Sequence, residues 1–297
     1  MAAPQPTLAS PTAWELPATW TASPTETVTP SPTASPTDTL TVTPSETPSP
    51  TLTPTLTAYL RGPGEITIPI LLYHHIGISP TEDTVYYVSP DAFERQMNLL
   101  YQWGYKTISV ELLARAINEG AELPPRPIIL TFDDGSETIY TTALPIMQKY
   151  GFTGTAYIIY NYMWLPNYMD TDQVRALHAA GWEIGSHGLS HSGLTERPKR
   201  QADEIVESRR KLRSQLDVSI LSFSYPFGAY NKDSLYYVHY AGYIAAMGLG
   251  EETVQSDKNL FYLYRQPVKG TDDLRTFASL LPWWKDMENL PALTIVP

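Results

Sequence analysis

The chain has no cysteine among its 297 residues, which excludes disulfides and thiolate metal ligands and leaves the redox compartment open. No apolar run reaches the length of a membrane-spanning helix, so insertion into a membrane by this chain is not expected. There is no signal-peptide pattern of basic start and apolar middle, so the signal or anchor of any exported form is expected to be absent from this chain. Positive charge is scarce, with 20 Lys and Arg against 31 Asp and Glu and a formal net charge of −11. That balance speaks against nucleic acid or an anionic membrane as a partner and suits a neutral or cationic polymer better. The scarcity is also uneven. From Met1 to about Leu60 there is no Lys or Arg at all, while 17 Thr and 12 Pro recur in Thr-Val-Thr-Pro and Ser-Pro-Thr patterns. Such a segment cannot bury enough apolar surface to offset its ordering entropy, and residues 1–62 are expected to form a disordered Thr/Ser/Pro-rich linker.

Residues 63–297 remain, enough for one large domain with a full core, carrying 27 acidic against 19 basic residues. Its organising stretch is Ile128-Ile129-Leu130-Thr131-Phe132-Asp133-Asp134-Gly135. An apolar run ending in two carboxylates and a glycine reads as a strand buried on both faces that delivers chemistry to a sheet edge. Successive strand residues point to opposite sides, so Asp133 and Asp134 need not share one environment. Some fifty residues on, Trp182-Glu183-Ile184 reads as another short strand leading into Gly185-Ser186-His187-Gly188-Leu189-Ser190-His191. Two histidines four apart converge on one cation if the turn between them is helical. Asp134, His187 and His191 then supply one oxygen and two nitrogens and leave positions open, as a catalytic rather than a structural site does. Asp133 remains as a spare carboxylate beside a bound water.

Thr131-Phe132-Asp133-Asp134-Gly135 followed by His187-Gly188-Leu189-Ser190-His191 resembles the first two motifs of the NodB-type polysaccharide deacetylases, carbohydrate esterase family 4, in order and spacing. The likeness implies a distorted (β/α)7 barrel, and the alternation of strand and helix patterns along the chain agrees with an α/β class. The stretch Leu72-Tyr73-His74-His75-Ile76 is similar to the N-terminal strand of the poly-N-acetylglucosamine deacetylase subgroup. There the His after Tyr serves as general acid, which implies that role for His74, with His75 second. No His follows His239, which agrees with an acid near the N-terminus. Tyr225-Pro226-Phe227-Gly228 resembles the third motif, whose aromatic residue offers a backbone N–H to the oxyanion and so implies that role for Phe227. The Arg usual three residues before that aromatic is Ser224 here. Arg265, on the last strand pattern Phe261 to Val268, is the expected replacement for that guanidinium. Tyr225, Trp164 in the aromatic loop Tyr160 to Tyr168, and His75 are the expected substrate contacts.

Elsewhere, helices are expected from Pro90 to about Gly104, Val110 to Asn118, Asp172 to Ala180, Lys199 to Leu216 and Thr271 to Leu281, with Pro145 as a kink or break and Trp283 and Trp284 beyond the last. Glu65 to Ile76 reads as the first strand region.

The resemblance implies a hydrolase that uses one divalent metal ion to remove N-acetyl groups from a β-linked N-acetylglucosamine polymer, whether poly-N-acetylglucosamine, peptidoglycan or chitin-like, releasing acetate. Zinc suits two imidazoles and a carboxylate, and cobalt, nickel, iron or manganese fit the same set. An O-acetyl esterase acting on a xylan-type glycan would use the same residues on an ester, and a catalytically silent carbohydrate-binding surface protein would keep the barrel without turnover. The iron site of oxygenases shares the ligand set but has no use for Asp133. A monomer with an extracellular or cell-surface location is expected, since Ser/Thr/Pro stalks resemble linkers that hold domains off a cell surface.

Overall fold

The computed structural model describes residues 59–81 and 84–283. The stretch assigned above to a linker lies outside the described residues except for its last four, of which Tyr59–Arg61 pair antiparallel with Ala121–Leu123. Trp284 also lies outside them.

Seven parallel strands form one curled sheet: β1 (Ile70–Tyr73), β2 (Pro127–Phe132), β3 (Thr155–Ile158), β4 (Glu183–Ser186), β5 (Ser222–Ser224), β6 (Ala245–Met247) and β7 (Gln266–Pro267). Their spatial order is β6-β5-β4-β3-β2-β1-β7, with Lys106–Thr107 pairing beside the start of β2. The segment entering β7 closes the curl. Leu263 exchanges hydrogen bonds with Ala246 and Gly248, Gly250 N–H donates to the Arg265 carbonyl, and Gln266–Pro267 pair with Leu71–Leu72 of β1. One irregular stretch thus bridges the two edges of the sheet, and Arg265 lies at the seam. This is the distorted barrel expected from the sequence.

Helices lie between the strands: α1 (Pro90–Gln102), α2 (Val110–Asn118), α3 (Leu144–Lys149), α4 (Thr171–Ala179), α5 (Ser208–Leu216), α6 (Lys232–Ala241) and α7 (Leu274–Ser279). Their starts are written in the sequence. Ser89 and Ser109 accept backbone N–H bonds from Ala92 and Leu112, and Asp170 and Asn231 close capping boxes with Gln173 and Ser234. Pro145 is the second residue of α3, directly after a π-helical turn at Ile139–Ala143, and the widened turn accommodates a residue without an N–H.

Alternation along the strands divides the core into two layers. Leu71, Tyr73, Ile128, Leu130, Phe132, Ala156, Ile184 and Phe223 pack outward with the helices. Ile70, Ile129, Tyr157, Ala245, Met247 and Leu263 pack in a second cluster inside the barrel. The period of two therefore sends Thr131 and Asp133 inward with Ile129, and Ser222 and Ser224 inward opposite Phe223. Tyr157 fills the interior, its hydroxyl donating to Ser222 Oγ at 3.0 Å.

Three expected elements differ. The first strand region splits, because Pro69 has no N–H to continue a ladder; Ile66–Thr67 pair antiparallel with Val254–Gln255, and β1 starts afterwards. The helix expected from Lys199 to Leu216 is a 3₁₀ turn at Pro198–Arg200, a π-helical turn at Asp203–Glu207, and then α5. The widened turn brings Glu204 as well as Ile205 onto the buried face. The last strand pattern, Phe261 to Val268, keeps regular pairing only at β7, because its first half bends across the seam.

Close packing inside the barrel leaves no room at Gly185, where an added Cβ would lie 2.3 Å from the Tyr157 ring and 3.1 Å from the Ser222 carbonyl. Gly185→Ala is expected to destabilise the fold by about 1–3 kcal/mol, read as a lower urea midpoint at unchanged m-value.

Candidate metal centre and its buried ion pair

Asp133 and Asp134 follow β2 and part company at once. Asp133 continues the ladder, its N–H donating to the Tyr73 carbonyl at 3.0 Å, and its side chain is 3 % exposed in the barrel interior. Asp134 takes a left-handed conformation at φ 71°, followed by Gly135 at φ 78°. A side chain at Gly135 would also crowd Ile158 Cδ1 at 3.3 Å, so the turn requires glycine. These two residues rotate the Asp134 carboxylate out of the interior row and towards the loop after β4.

That loop carries His187 and His191. His187 Nε2 lies 3.5 Å and His191 Nε2 3.4 Å from Asp134 Oδ1. The three ligand atoms all lie within 4.8 Å of one another. Two donors bound tetrahedrally at about 2.1 Å from one ion stand about 3.4 Å apart, so the spacing fits a small divalent cation. Asp134 Oδ1 is buried and has no protein hydrogen-bond partner, an acceptor whose need a cation would meet. The His187 ring is set for ligation, because its Nδ1 pairs with the Ser224 carbonyl at 2.8 Å, which places the proton there and leaves the Nε2 lone pair free. Burial holds His187 down at about 4 against the pull of Asp133, so the ring is neutral at pH 7. Burial, and then the Asp133 charge, push the Asp134 carboxyl up to about 7.

The turn between the histidines is not helical. Gly188 lies at φ 85° and His191 at φ 56°, and the convergence comes from this left-handed bend instead. Its donors are taken by Glu204, a buried residue that the sequence reading passed over. The signal was available: Gln201, Glu204 and Ser208 are polar residues at helical spacing on the same stripe as Ile205 and Leu212, and all five are buried.

Arg265 reaches Asp133 from the seam. Its Nη1 and Nη2 donate to Asp133 Oδ1 and Oδ2, each at 2.8 Å, in a bidentate pair that is 1 % exposed on the arginine side. Nη1 also donates to Thr131 Oγ1, Nη2 to Ser224 Oγ, and Nε to the Gly248 carbonyl, while Ser224 Oγ donates to Asp133 Oδ2 at 2.9 Å. Burial alone would raise the Asp133 carboxyl. The charges of Arg265 and His187 and the hydrogen bonds from Arg265 outweigh it, holding the carboxyl well below the usual carboxylate range.

The remaining expected residues are distributed around this centre. His74 is half-buried, edge-on to Tyr86 at 4.9 Å and within electrostatic reach of Asp133, Arg265 and His191. Burial lowers its ring to about 4, with Asp133 opposing. His75 is committed elsewhere: it stacks on Tyr87 at 4.3 Å, and its Nδ1 pairs with Ser136 Oγ, which in turn pairs with Thr138. Phe227 is exposed, with a left-handed backbone at φ 61° and its ring 4.6 Å from His191. The hydrogen bonds of its turn come from Gly228 and Ala229, leaving the Phe227 N–H outside them. Trp164 is exposed at the same end of the sheet, edge-on to Tyr160. Tyr225, expected as a substrate contact, is buried instead. Alternation after the inward Ser224 sends it outward into the helix layer, where it is 1 % exposed and its hydroxyl donates to the Phe261 carbonyl.

Comparison with known proteins sets the chain beside polysaccharide deacetylases. Residues 120–246 match the family model for polysaccharide deacetylases. The poly-β-1,6-N-acetyl-D-glucosamine N-deacetylase of Staphylococcus aureus is 27 % identical over 214 residues, covering 67 % of this chain and 72 % of the relative. The Streptococcus pyogenes deacetylase PplD in complex with acetate superposes with a TM-score of 0.66 at 28 % identity, covering 73 % of this chain and 98 % of that one. IcaB from Ammonifex degensii shares the fold with a TM-score of 0.61 at 20 % identity, covering 76 % and 98 %. The family match begins after His74 and ends before Arg265.

Arg265→Ala leaves the Asp133 carboxylate buried without its counter-charge and is expected to cost about 3–5 kcal/mol in urea unfolding at pH 7. A depressed carboxyl contributes stability above its unfolded pKa of about 3.9, and this is lost as the pH falls through the folded value. The gap between parent and variant should therefore narrow on acidification. A gap that stays constant as the pH falls below about 4, where the unfolded carboxyl takes up its proton, would show that the pair is not its source.

Proposed function

We propose, for a chain that belongs to the polysaccharide deacetylase family, that it hydrolyses the N-acetyl amides of a β-linked N-acetylglucosamine polymer, using one divalent metal ion held by Asp134, His187 and His191. The observation that carries this reading is the division of labour between adjacent carboxylates. Asp134 faces both imidazoles, whereas both oxygens of Asp133 are held by Arg265, with Oδ2 3.8 Å from His187 Nε2.

A cation bound there, zinc by preference, would polarise the acetyl carbonyl and acidify the attacking water. Asp133 accepts the proton of that water. Arg265 keeps it ionised at any working pH, and its low basicity is why the water must be acidified first. The Phe227 N–H meets the oxyanion that develops on the acetyl carbonyl. His74 gives its proton to the departing amine. Burial disfavours the imidazolium in the free chain, so its protonation depends on the negative charge that gathers beside it as the reaction proceeds; the Asp133 carboxylate already acts in that direction. Trp164 offers an apolar face to sugar rings at the rim.

Poly-β-1,6-N-acetylglucosamine is the preferred substrate, supported by the activity of the staphylococcal relative and by the position of His74. Such a polymer lies outside the cell, so we place the protein at the cell surface or beyond it, as a monomeric catalytic domain behind a Thr/Ser/Pro-rich linker; the pairing of Tyr59–Arg61 with Ala121–Leu123 puts those residues on the domain side of the boundary expected at residue 62. No helix among the described residues is long and apolar enough to cross a membrane.

Acetate release from poly-β-1,6-N-acetylglucosamine oligomers tests the proposal. The zinc-loaded parent should release acetate, chelation should abolish release, and Asp133→Asn and His74→Ala at equal metal content should each lower kcat by about 10²–10⁴-fold. Loss in Asp133→Asn alone would place the acid elsewhere. Release from O-acetyl but not from matched N-acetyl glycans would make the protein an esterase, and no release from either would make it a binding protein.

A further inference from the structure

The loop Gly188-Leu189-Ser190, between the two histidine ligands, has its polar groups tied down one by one. Gly188 N–H donates to Ser186 Oγ at 3.3 Å. Leu189 and Ser190 N–H both donate to Glu204 Oε2, at 2.7 and 2.9 Å, and the Ser190 hydroxyl donates to Glu204 Oε1 at 2.5 Å. The carbonyls of Gly188 and Leu189 accept the N–H groups of Tyr160 and Asn161 after β3. Glu204 itself is 1 % exposed, and the nearest cation to it is Arg200 Nη2 at 3.7 Å. It reaches the loop from the π-helical turn Asp203–Glu207, a widened turn of the kind that re-aims one side chain out of helical register. The fit is tight enough that a Cβ at Gly188 would stand 3.0 Å from Glu204 Oε2, at a residue already at φ 85°.

We propose that Glu204 is a positioning residue of the metal centre: its buried carboxylate gathers three donors of the Gly188–Ser190 loop and so sets the left-handed bend that turns His191 back to face Asp134 beside His187. The inference rests on Asp134, His187 and His191 being a metal site. The physical reason is that buried N–H groups must be satisfied. Without the carboxylate, the Leu189 and Ser190 N–H groups would lose their acceptor and the Ser190 hydroxyl would keep only Ser192 Oγ, at 2.8 Å, so the loop would open to reach water. His191 is the next residue, so its Nε2 would move with the loop, and metal ligation tolerates displacements of only about 0.2 Å. Partners that orient a ligand in this way typically change metal affinity by about 10–100-fold.

The test is zinc affinity of the full chain by chelator competition, beside urea unfolding of the metal-free proteins, for the parent, Glu204→Ala, Glu204→Asp and Glu204→Gln. Glu204→Ala should bind zinc about 10–100-fold more weakly, and Glu204→Asp, one methylene too short to span the loop, should also lose affinity. Glu204→Gln keeps an oxygen for the two N–H groups and an amide for the Ser190 hydroxyl, so it should stay within about threefold of the parent. Cobalt spectra should change in the same order. A folded Glu204→Ala or Glu204→Asp that binds zinc as the parent does, even with reduced unfolding stability, would overturn the inference by making Glu204 merely structural. Should Glu204→Ala not fold, the comparison of Asp with Gln decides the matter. A parent that binds no zinc would remove the metal reading and this inference with it.

Discussion

The buried pair between Asp133 and Arg265 is the constraint on which the rest of the structure depends. Two charges inside a barrel are costly to desolvate, and they persist only where the geometry is bidentate and the remaining donors are satisfied. Both conditions hold here, since Thr131, Ser224 and the Gly248 carbonyl take up the guanidinium's other hydrogen bonds. The pair also joins β2, which delivers both carboxylates, to the segment that closes the sheet. Barrel closure and the ionisation of Asp133 are therefore one interaction. A change that loosens the seam between Leu263 and Pro267 would reach the proposed chemistry without touching a metal ligand.

The pair also accounts for Ser224, where the family resemblance predicts arginine. A second guanidinium beside Arg265 would crowd an interior already filled by Tyr157 and would add an unpaired buried charge. Serine is small enough to admit the arginine from the seam, and it bonds both partners, accepting from Arg265 Nη2 and donating to Asp133 Oδ2. Its carbonyl fixes the His187 tautomer as well. One residue thus couples the ion pair to the metal ligands, through its side chain on one side and its backbone on the other.

Much of this was legible in the sequence, and the parts that were not share a cause. Asp133, Asp134, His187 and His191 announced themselves because their spacing and strand context are local. The period of two along Ile129, Thr131 and Asp133 carried the inward direction, and the strand pattern around Arg265 carried its place at the last strand. The same alternation, applied past Ser224, would have sent Tyr225 into the helix layer rather than to the substrate. What local patterns did not carry was conformation imposed from a distance. The His187–His191 bend looked like a helical turn because the spacing of four permits one. Its left-handed form depends on Glu204, which a helical pattern records only as a charge out of place among Ile205, Ser208 and Leu212.

That misplacement has a wider physical reading. A glutamate with its charge desolvated is destabilising unless something near it needs an acceptor, and the backbone of a left-handed loop is such a need, because no ladder satisfies its N–H groups. Asp133 and Glu204 are thus two answers to one problem. Each is a buried carboxylate whose desolvation is offset by donors brought from another element, one from the barrel seam and one from the loop it shapes. Between them they fix the two sides of the centre, the carboxylate side after β2 and the imidazole side after β4. Asp134 is the carboxylate whose buried Oδ1 has no protein donor, and burial followed by the neighbouring Asp133 charge raises its proton affinity. In this arrangement the fold leaves an oxygen of Asp134 unsatisfied where it faces the two imidazoles.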